Sequence, residues 1–332
     1  MVKNLDSKEM NRIVVTATGG GVGQSILKAL KGSDYEVIAL DGERLGAGLY
    51  MVPESYLIPY ATDNEYLPFL LALCKEKKID LLFPGMDCEL LKLSEYWQMF
   101  QEVGTKVVIS NPDIVRLADD KLATQEFLHN NKFPFVKTEM LNDEGKWTQE
   151  GCFRYYGDYI LKPLKGGARS KNTFRITGRT DRGVLPDVII NETQNYVIQE
   201  YIEGDEYTCG TVTLDGIYRG CIVMRRILRD GDTYKAFVER NPVIEDLCEK
   251  ICTILKPYGA FNIQLRLRDG VPYVFEFNAR CSGTTAARAL AGFNEPLMIA
   301  DYFLKGKEPE FEIKEINILR YWNELVVEQL RK

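Results

Sequence analysis

Apolar and polar positions change period several times along this chain, and each change marks an element. Ile13 to Thr18 is a short β-branched run that stops at Gly19-Gly20-Gly21-Val22-Gly23. Ser25 to Lys31 then sets Ile26, Leu27 and Leu30 on one side of a helix. Strand patterns follow at Tyr35 to Leu40, Ile79 to Phe83 and Val107 to Ile109, with helical patterns at Tyr66 to Lys75 and Glu89 to Phe100. Strands alternating with helices predict an α/β unit, a doubly wound parallel sheet with helices on both faces, over about residues 1–110.

Beyond that point the pattern changes. Ser110-Asn111-Pro112-Asp113 places a capping residue ahead of a first-turn proline, and helices follow at Asp113 to Ala118 and Lys121 to Asn130. Tyr159 to Lys162, Tyr196 to Tyr201, Glu206 to Thr213 and Gly220 to Leu228 read as strands separated by Gly, Asp and Asn turns, which predicts hairpins in an α+β layer. Val243 to Leu255 is an amphipathic helix with Ile244, Leu247, Cys248 and Ile251 on one side. Two more strands, Phe261 to Arg266 and Tyr273 to Asn278, are joined by Arg268-Asp269-Gly270, a hairpin signal.

Alternation on the last strand gives Glu276 and Asn278 one face and Phe275 and Phe277 the other. On the strand before it, Asn262 and Gln264 lie opposite Ile263 and Leu265. A carboxylate and amide oxygens on a stiff sheet suit magnesium, which takes oxygen ligands at about 2.0–2.1 Å and completes its shell with water and phosphates. A half-solvated strand with ordinary polar residues fits the same alternation.

Composition narrows the class. The 332 residues are 45% hydrophobic and 27% charged, ordinary for a soluble globular protein of two or three domains. No apolar run approaches the ~20 residues of a membrane helix, and the N-terminus lacks a signal-peptide core. The expectation is a cytoplasmic protein without a membrane partner. A net charge of −6 excludes a general nucleic-acid surface. Eight cysteines without a CxxC pair, beside a single histidine, predict buried reduced thiols and no zinc site.

Three loops carry candidate chemistry. Amides of Gly19 to Gly23 could hold an anion at a helix start. Asp41 sits near the spacing of a ribose-binding acid, but Gln24 stands where a dinucleotide fingerprint wants its last glycine. An NAD loop, a packing turn and the wall of a substrate pocket all remain open. Lys162 ends an apolar strand before a basic loop with Gly166 and Gly167, a phosphate cradle without Walker A spacing, or a solvated hairpin. Val197 to Tyr207 runs an apolar strand through an acidic turn, where strand-end backbone can read adenine and a carboxylate can hold ribose.

In order, these pieces are Lys121, Lys162 with its glycine loop, Gln199-Glu200-Tyr201-Ile202-Glu203-Gly204-Asp205-Glu206, Asn262-Ile263-Gln264, and Glu276-Phe277-Asn278-Ala279-Arg280. Together they resemble the ATP-grasp superfamily over about residues 10–305, with Phe261 to Thr285 the most specific part. The chain is most similar to halves of the carbamoyl phosphate synthetase large subunit, with biotin carboxylase more distant. The resemblance implies a pre-ATP-grasp domain at 1–110 and an ATP-grasp domain at 111–305, with a small lobe at about 135–200, a large lobe at about 200–305 and a C-terminal segment at 306–332.

The same resemblance implies Mg-ATP (or Mn-ATP) and assigns roles. Lys121 and Lys162 meet phosphates, and Gly166 and Gly167 form the loop that closes over them. Glu200 and Ile202 hold adenine through backbone groups, and Glu206 holds ribose. Gln264, Glu276 and Asn278 form the magnesium set. Arg280, with Lys162, serves the transferred phosphoryl and the acyl substrate. Arg225, Arg226 and Lys235 are assigned to the substrate's charge or the γ-phosphate, against an exposed basic hairpin. Gly283 stands where the synthetase carries a second arginine, which argues against bicarbonate, and a single ATP-grasp unit argues against carbamoyl phosphate synthesis. The implied activity is an ATP-dependent ligase that joins a small carboxylate to an amine through an acyl phosphate. A homodimer is the default assembly. The alternatives are a nucleotide-binding regulatory or partner subunit and, behind it, an NAD-binding enzyme.

Overall fold

A computed structural model of the chain describes residues 10–141, 158–166, 171–177 and 192–330. It opens with β1 (Arg12–Val15), α1 (Gly21–Leu30), β2 (Glu36–Asp41) and β3 (Glu54–Leu57). Next come α2 (Tyr66–Glu76), β4 (Leu81–Phe83), α3 (Asp87–Glu95), α4 (Trp97–Glu102) and β5 (Lys106–Val107). The strands form a parallel sheet in the order β3-β2-β1-β4-β5. Both faces are covered, so the central strands are continuously apolar. Val14, Ile38 and Leu82 pack with α2 and α3, while Ile13, Val15 and Leu81 pack with α1.

Helix α1 starts inside the glycine run, four residues before the Ser25 expected from periodicity. A Cβ on Gly23 would lie 2.5 Å from the Ala17 carbonyl oxygen, so only glycine lets the helix start so close to the end of β1. The Glu89 to Phe100 pattern divides at Tyr96 into α3 and α4. Strand β3, at the sheet edge, is half-buried along its length and shows no alternation to read.

Helices α5 (Pro112–Asp119) and α6 (Lys121–Asn130) follow, capped by the side chains of Asn111 and Asp120. A small antiparallel sheet comes next: β6 (Thr138–Met140), β7 (Tyr159–Pro163), β8 (Phe174–Ile176) and β9 (Tyr196–Glu200), in the order β6-β9-β7-β8. Its core is Leu141, Tyr159, Leu161, Tyr196 and Ile198.

The large antiparallel sheet contains β10 (Asp205–Leu214), β11 (Ile217–Arg229) and β12 (Asp232–Val238). After α7 (Pro242–Leu255) it gains β13 (Gly259–Arg268) and β14 (Val271–Asn278). Helices α8 (Thr285–Leu290) and α9 (Glu295–Lys305) precede β15 (Asn317–Leu319), and the order is β14-β13-β10-β11-β12-β15. Periodicity missed β6, β8 and β15, at three residues each, along with β12, α8 and α9. Three residues are too few to establish a period. Parallel and antiparallel layers are thus as expected.

The β13–β14 ladder corrects one expectation. Asn262 faces Asn278 and Gln264 faces Glu276, but Leu265 then faces Val274, so Phe275 is an extra residue. The chain at 134–136 bonds Val274 through its own N–H and carbonyl, at 3.2 and 3.0 Å. Phe277 is buried in the core, whereas Phe275 leaves that face and meets Lys162, whose Nζ lies 5.3 Å from its ring centre. A bulge of this kind re-aims one side chain.

Among the described residues, all cysteines are free and only Cys88 is exposed. Among them too, no helix is long and apolar enough to cross a membrane.

Candidate active site

A cavity of about 670 Å³ lies where the three sheets meet. Strand β7 brings Lys162 and the start of α6 brings Lys121; both are buried. Lys121 Nζ donates to the Gly166 carbonyl at 2.9 Å and to that of Leu164 at 3.4 Å. Gly166 has φ +64°, and its N–H donates to Asp119 at 3.0 Å. Gly167 lies outside the described residues. Burial pushes the Lys162 ammonium down to about 7; Lys121's charge adds to the drop, while Glu276 and Glu206 oppose it.

Glu200, Ile202 and Glu206 line the same cavity as the two lysines. The Glu200 N–H is taken by Lys137 O at 2.9 Å, and Ile202 is buried. Glu206 is gripped from both sides. Arg226 Nη2 donates to its Oε1 at 2.7 Å, and Arg266 Nη2 to its Oε2 at 2.5 Å.

The oxygen-rich residues of β13 and β14 converge on the same cavity. Gln264 Nε2 donates to Asn278 Oδ1 at 2.9 Å and to Glu276 Oε1 at 3.3 Å. Asn278 Nδ2 also reaches Glu276 Oε1, at 3.1 Å. A buried network backs this cluster. Asn262 donates to Asn278 Oδ1 at 2.9 Å and accepts from Arg288 Nη2 at 2.5 Å, and Arg288 Nη1 is paired to Glu295 at 2.8 Å.

Not every expected residue reaches the cavity. Arg226 does, and it also donates to Gln264 Oε1 at 2.5 Å, linking Glu206 to the amide cluster. Arg225 and Lys235 do not line it. Neighbouring strand residues alternate faces, so Arg225 points away from Arg226, toward Glu239 at 3.5 Å, with its guanidinium 4.4 Å from the Phe237 ring centre. Lys235 is next to Ala236, the register partner of Arg226, and so also turns away.

Arg280 lines the cavity but is not unaccompanied. Its Nε and Nη2 donate to the two carboxylate oxygens of Asp87 at 2.8 and 2.5 Å, joining β14 to the start of α3. Gly20, Gly21 and Val22 also line the cavity, while Gly23 serves the packing turn. Asp41 is not available as a ribose acid. Its carboxylate accepts the N–H groups of Gly19 at 2.5 Å and Glu43 at 2.7 Å, holding the glycine turn.

Periodicity overlooked Asp87, Asn262's partner Arg288 and Arg320. Asp87 follows Pro84-Gly85 at the end of a parallel strand, the region where ligands gather in such sheets. Arg320, just after β15, lines the cavity and donates to Thr233 O at 3.0 Å. Nothing in its exposed local sequence marks it.

The succession of a parallel α/β unit and antiparallel sheets recurs among known proteins. Residues 192–324 match the family described as ATP-grasp in the biosynthetic pathway with Ter operon, and residues 13–108 match the PylC-like N-terminal domain. No curated protein matches the chain. Among solved structures, an ADP complex of N5-carboxyaminoimidazole ribonucleotide synthetase superposes with TM-score 0.71 at 10% identity, over 92% of this chain and 79% of that one. An L-amino acid ligase from Bacillus licheniformis gives 0.67 at 14% identity, over 89% and 74%. The biotin carboxylase domain of Hydrogenobacter thermophilus 2-oxoglutarate carboxylase gives 0.66 at 16%, over 92% and 73%. Residues 192–324 thus match an ATP-grasp family and residues 13–108 a PylC-like N-terminal domain, and the fold is that of the ATP-grasp structures.

Proposed function

We propose that this chain is an ATP-dependent ligase that activates a small carboxylate as an acyl phosphate and passes the acyl group to an amine. The observation that carries this reading is the pair of buried lysines, Lys121 and Lys162, in one cavity with Glu276 and its amide cluster. Two ammonium groups buried side by side are costly unless a polyanion joins them. A nucleotide triphosphate is such a polyanion. The neighbours described with ADP, and those named as ligase, synthetase or carboxylase, favour the same reading.

The residues present fit a divalent ion of the magnesium type. Glu276 supplies one carboxylate, and Gln264 and Asn278 supply amide oxygens. Among the described residues no group of three His, Cys, Asp or Glu side chains forms a metal cage. Magnesium needs no such cage, since phosphates and water complete its shell. When bound there, the ion (magnesium or manganese) neutralises phosphate charge as a Lewis acid.

The chain's own groups then do the positioning. Lys121 and Lys162 hold the β- and γ-phosphates, Gly166 flanks them, Glu200 and Ile202 flank the adenine, and Glu206 meets the ribose. The substrate carboxylate attacks the γ-phosphorus, the bond to the bridging oxygen breaks, and ADP leaves. Arg280 and Lys162 balance the charge that spreads over the transferred group. Arg226 and Arg320 supply further positive charge on the cavity wall.

A screen of carboxylates and amines for ADP release tests this. Release that requires one member of each class is the expected result. If Mg-ATP raises the melting temperature while no pair releases ADP, the chain is a nucleotide-binding subunit and the ligase reading fails.

Lys162 adds a pH prediction. Its folded pKa, about 7, lies below the unfolded value, so above that pH the empty site holds largely neutral lysine. The unfolded chain then binds more protons, and stability rises with pH until the unfolded lysine also titrates. Phosphate binding favours the ammonium form. Mg-ATP binding above pH 7 therefore takes up about one proton, and affinity falls as pH rises. Calorimetry in buffers of different ionisation enthalpy reads this directly. Binding without proton uptake would remove Lys162 from the phosphate site.

A further inference from the structure

We infer that Asp87 is the group that receives the amine co-substrate, as a cation, beside Arg280. This rests on the ligase reading above and specifies where its second substrate enters.

The placement of Asp87 is fixed by the fold. Glu89, fully buried, accepts the N–H groups of Gly85 at 2.8 Å and Met86 at 3.0 Å and the hydroxyl of Thr16 at 2.7 Å. This holds the turn after β4 and sets Asp87 as the first residue of α3, on the cavity wall. Its side chain keeps 25% exposure, against 8% for Arg280.

Glu276 also acts on Arg280, and the neighbouring segments carry small side chains. Gly20, Gly21, Val22, Gly85, Ser282 and Gly283 line this end of the cavity. A Cβ built on Gly21 or Gly283 would meet nothing within 4 Å, so there is room beside the ion pair. The wall is also braced: Ser25 Oγ in α1 accepts the Ala286 N–H at 2.7 Å and donates to the Gly283 carbonyl at 3.3 Å. Three of the other acids facing the cavity have different partners. Glu206 is held by Arg226 and Arg266, Asp119 by the Gly166 N–H, and Glu276 by Gln264 and Asn278.

Charge then sets the order of events. The donor carboxylate, and the acyl phosphate made from it, compete with Asp87 for Arg280. Each hydrogen bond they gain from the guanidinium leaves the half-buried Asp87 short of its counter-ion, a costly state. An ammonium group restores the balance, so the acceptor binds after the donor and as a cation. In the transfer, the amine nitrogen bonds to the carbonyl carbon and the carbon–oxygen bond to phosphate breaks. The nitrogen loses two protons: the departing phosphate takes one, and Asp87 takes the other and releases it to water.

Asp87→Asn tests the inference with the full chain, any productive carboxylate–amine pair and hydroxylamine as an uncharged nucleophile. The amine KM is expected to rise at least ~30-fold, as for a lost charge-assisted contact, while the carboxylate KM changes less than ~threefold. Hydroxamate formation is expected to fall far less than amide formation. Asp87→Glu should recover part of the amine KM, which separates a charge effect from a folding defect. An unchanged amine KM overturns the inference. So does equal loss of amide and hydroxamate, which would make Asp87 only a brace for Arg280. No hydroxamate from the unaltered protein with any carboxylate would instead sink the ligase reading itself.

Discussion

Glu276→Ala is expected to lower carboxylate-dependent ADP release by about 10³-fold while leaving the fold intact, the range for removing one preorganised charge-stabilising group. Glu276 is the lone carboxylate of the β13–β14 cluster and accepts from Gln264 Nε2 and Asn278 Nδ2 through one oxygen. It is half-buried at the cavity, so truncation leaves space that water fills. Its loss removes the anionic ligand of the proposed metal. It also removes the negative charge that most opposes the drop at Lys162, so the ammonium drops further. Circular dichroism and the urea midpoint check that the sheet survives. Near-normal turnover in a folded variant would remove the metal assignment.

Arg288→Ala is expected to destabilise the chain by about 3–5 kcal/mol, the cost of leaving one partner of a buried ion pair alone. Arg288 and Glu295 are both fully buried, with Nη1 and Oε1 2.8 Å apart. Arg288 also serves Thr208 at 3.0 Å and Asn262 at 2.5 Å, and Thr285 donates to Glu295 at 2.7 Å. A Cβ on Gly210 would lie 2.3 Å from both charged groups, so β10 carries glycine where the pair crosses it. Glu295→Ala should cost a similar amount. The double change Arg288→Met with Glu295→Leu should recover much of the loss, since a packed apolar pair has no charge left to desolvate. Urea midpoints at constant slope measure each step. The double variant should still turn over slowly, because Asn262, which orients Asn278, loses its guanidinium donor. Full activity there would confine Arg288 to stability.

The parallel and antiparallel layers were legible because their strands carry strong local patterns. Ile13 to Thr18 and Ile79 to Phe83 must be apolar on both faces when helices cover both, and Val243 to Leu255 must carry an apolar stripe against a sheet. The cluster of Glu276, Asn278 and Gln264 was legible for a related reason, since strand alternation fixes which side chains share a face. Phe275 escaped because a bulge shifts that alternation by one residue, and its cause lies at residues 134–136, far away in sequence.

By itself the amino-acid sequence determined the order of elements, the buried faces and the motif residues that line the cavity, because these depend on near neighbours along the chain. Only the tertiary structure decided that Asp41 braces a glycine turn, that Arg225 and Lys235 face away, and that Asp87 and Arg320 join Arg280 and Arg226 around the cavity. Asp87 and Arg280 are 193 positions apart, and no local period encodes a pair that exists only when two sheets close on each other.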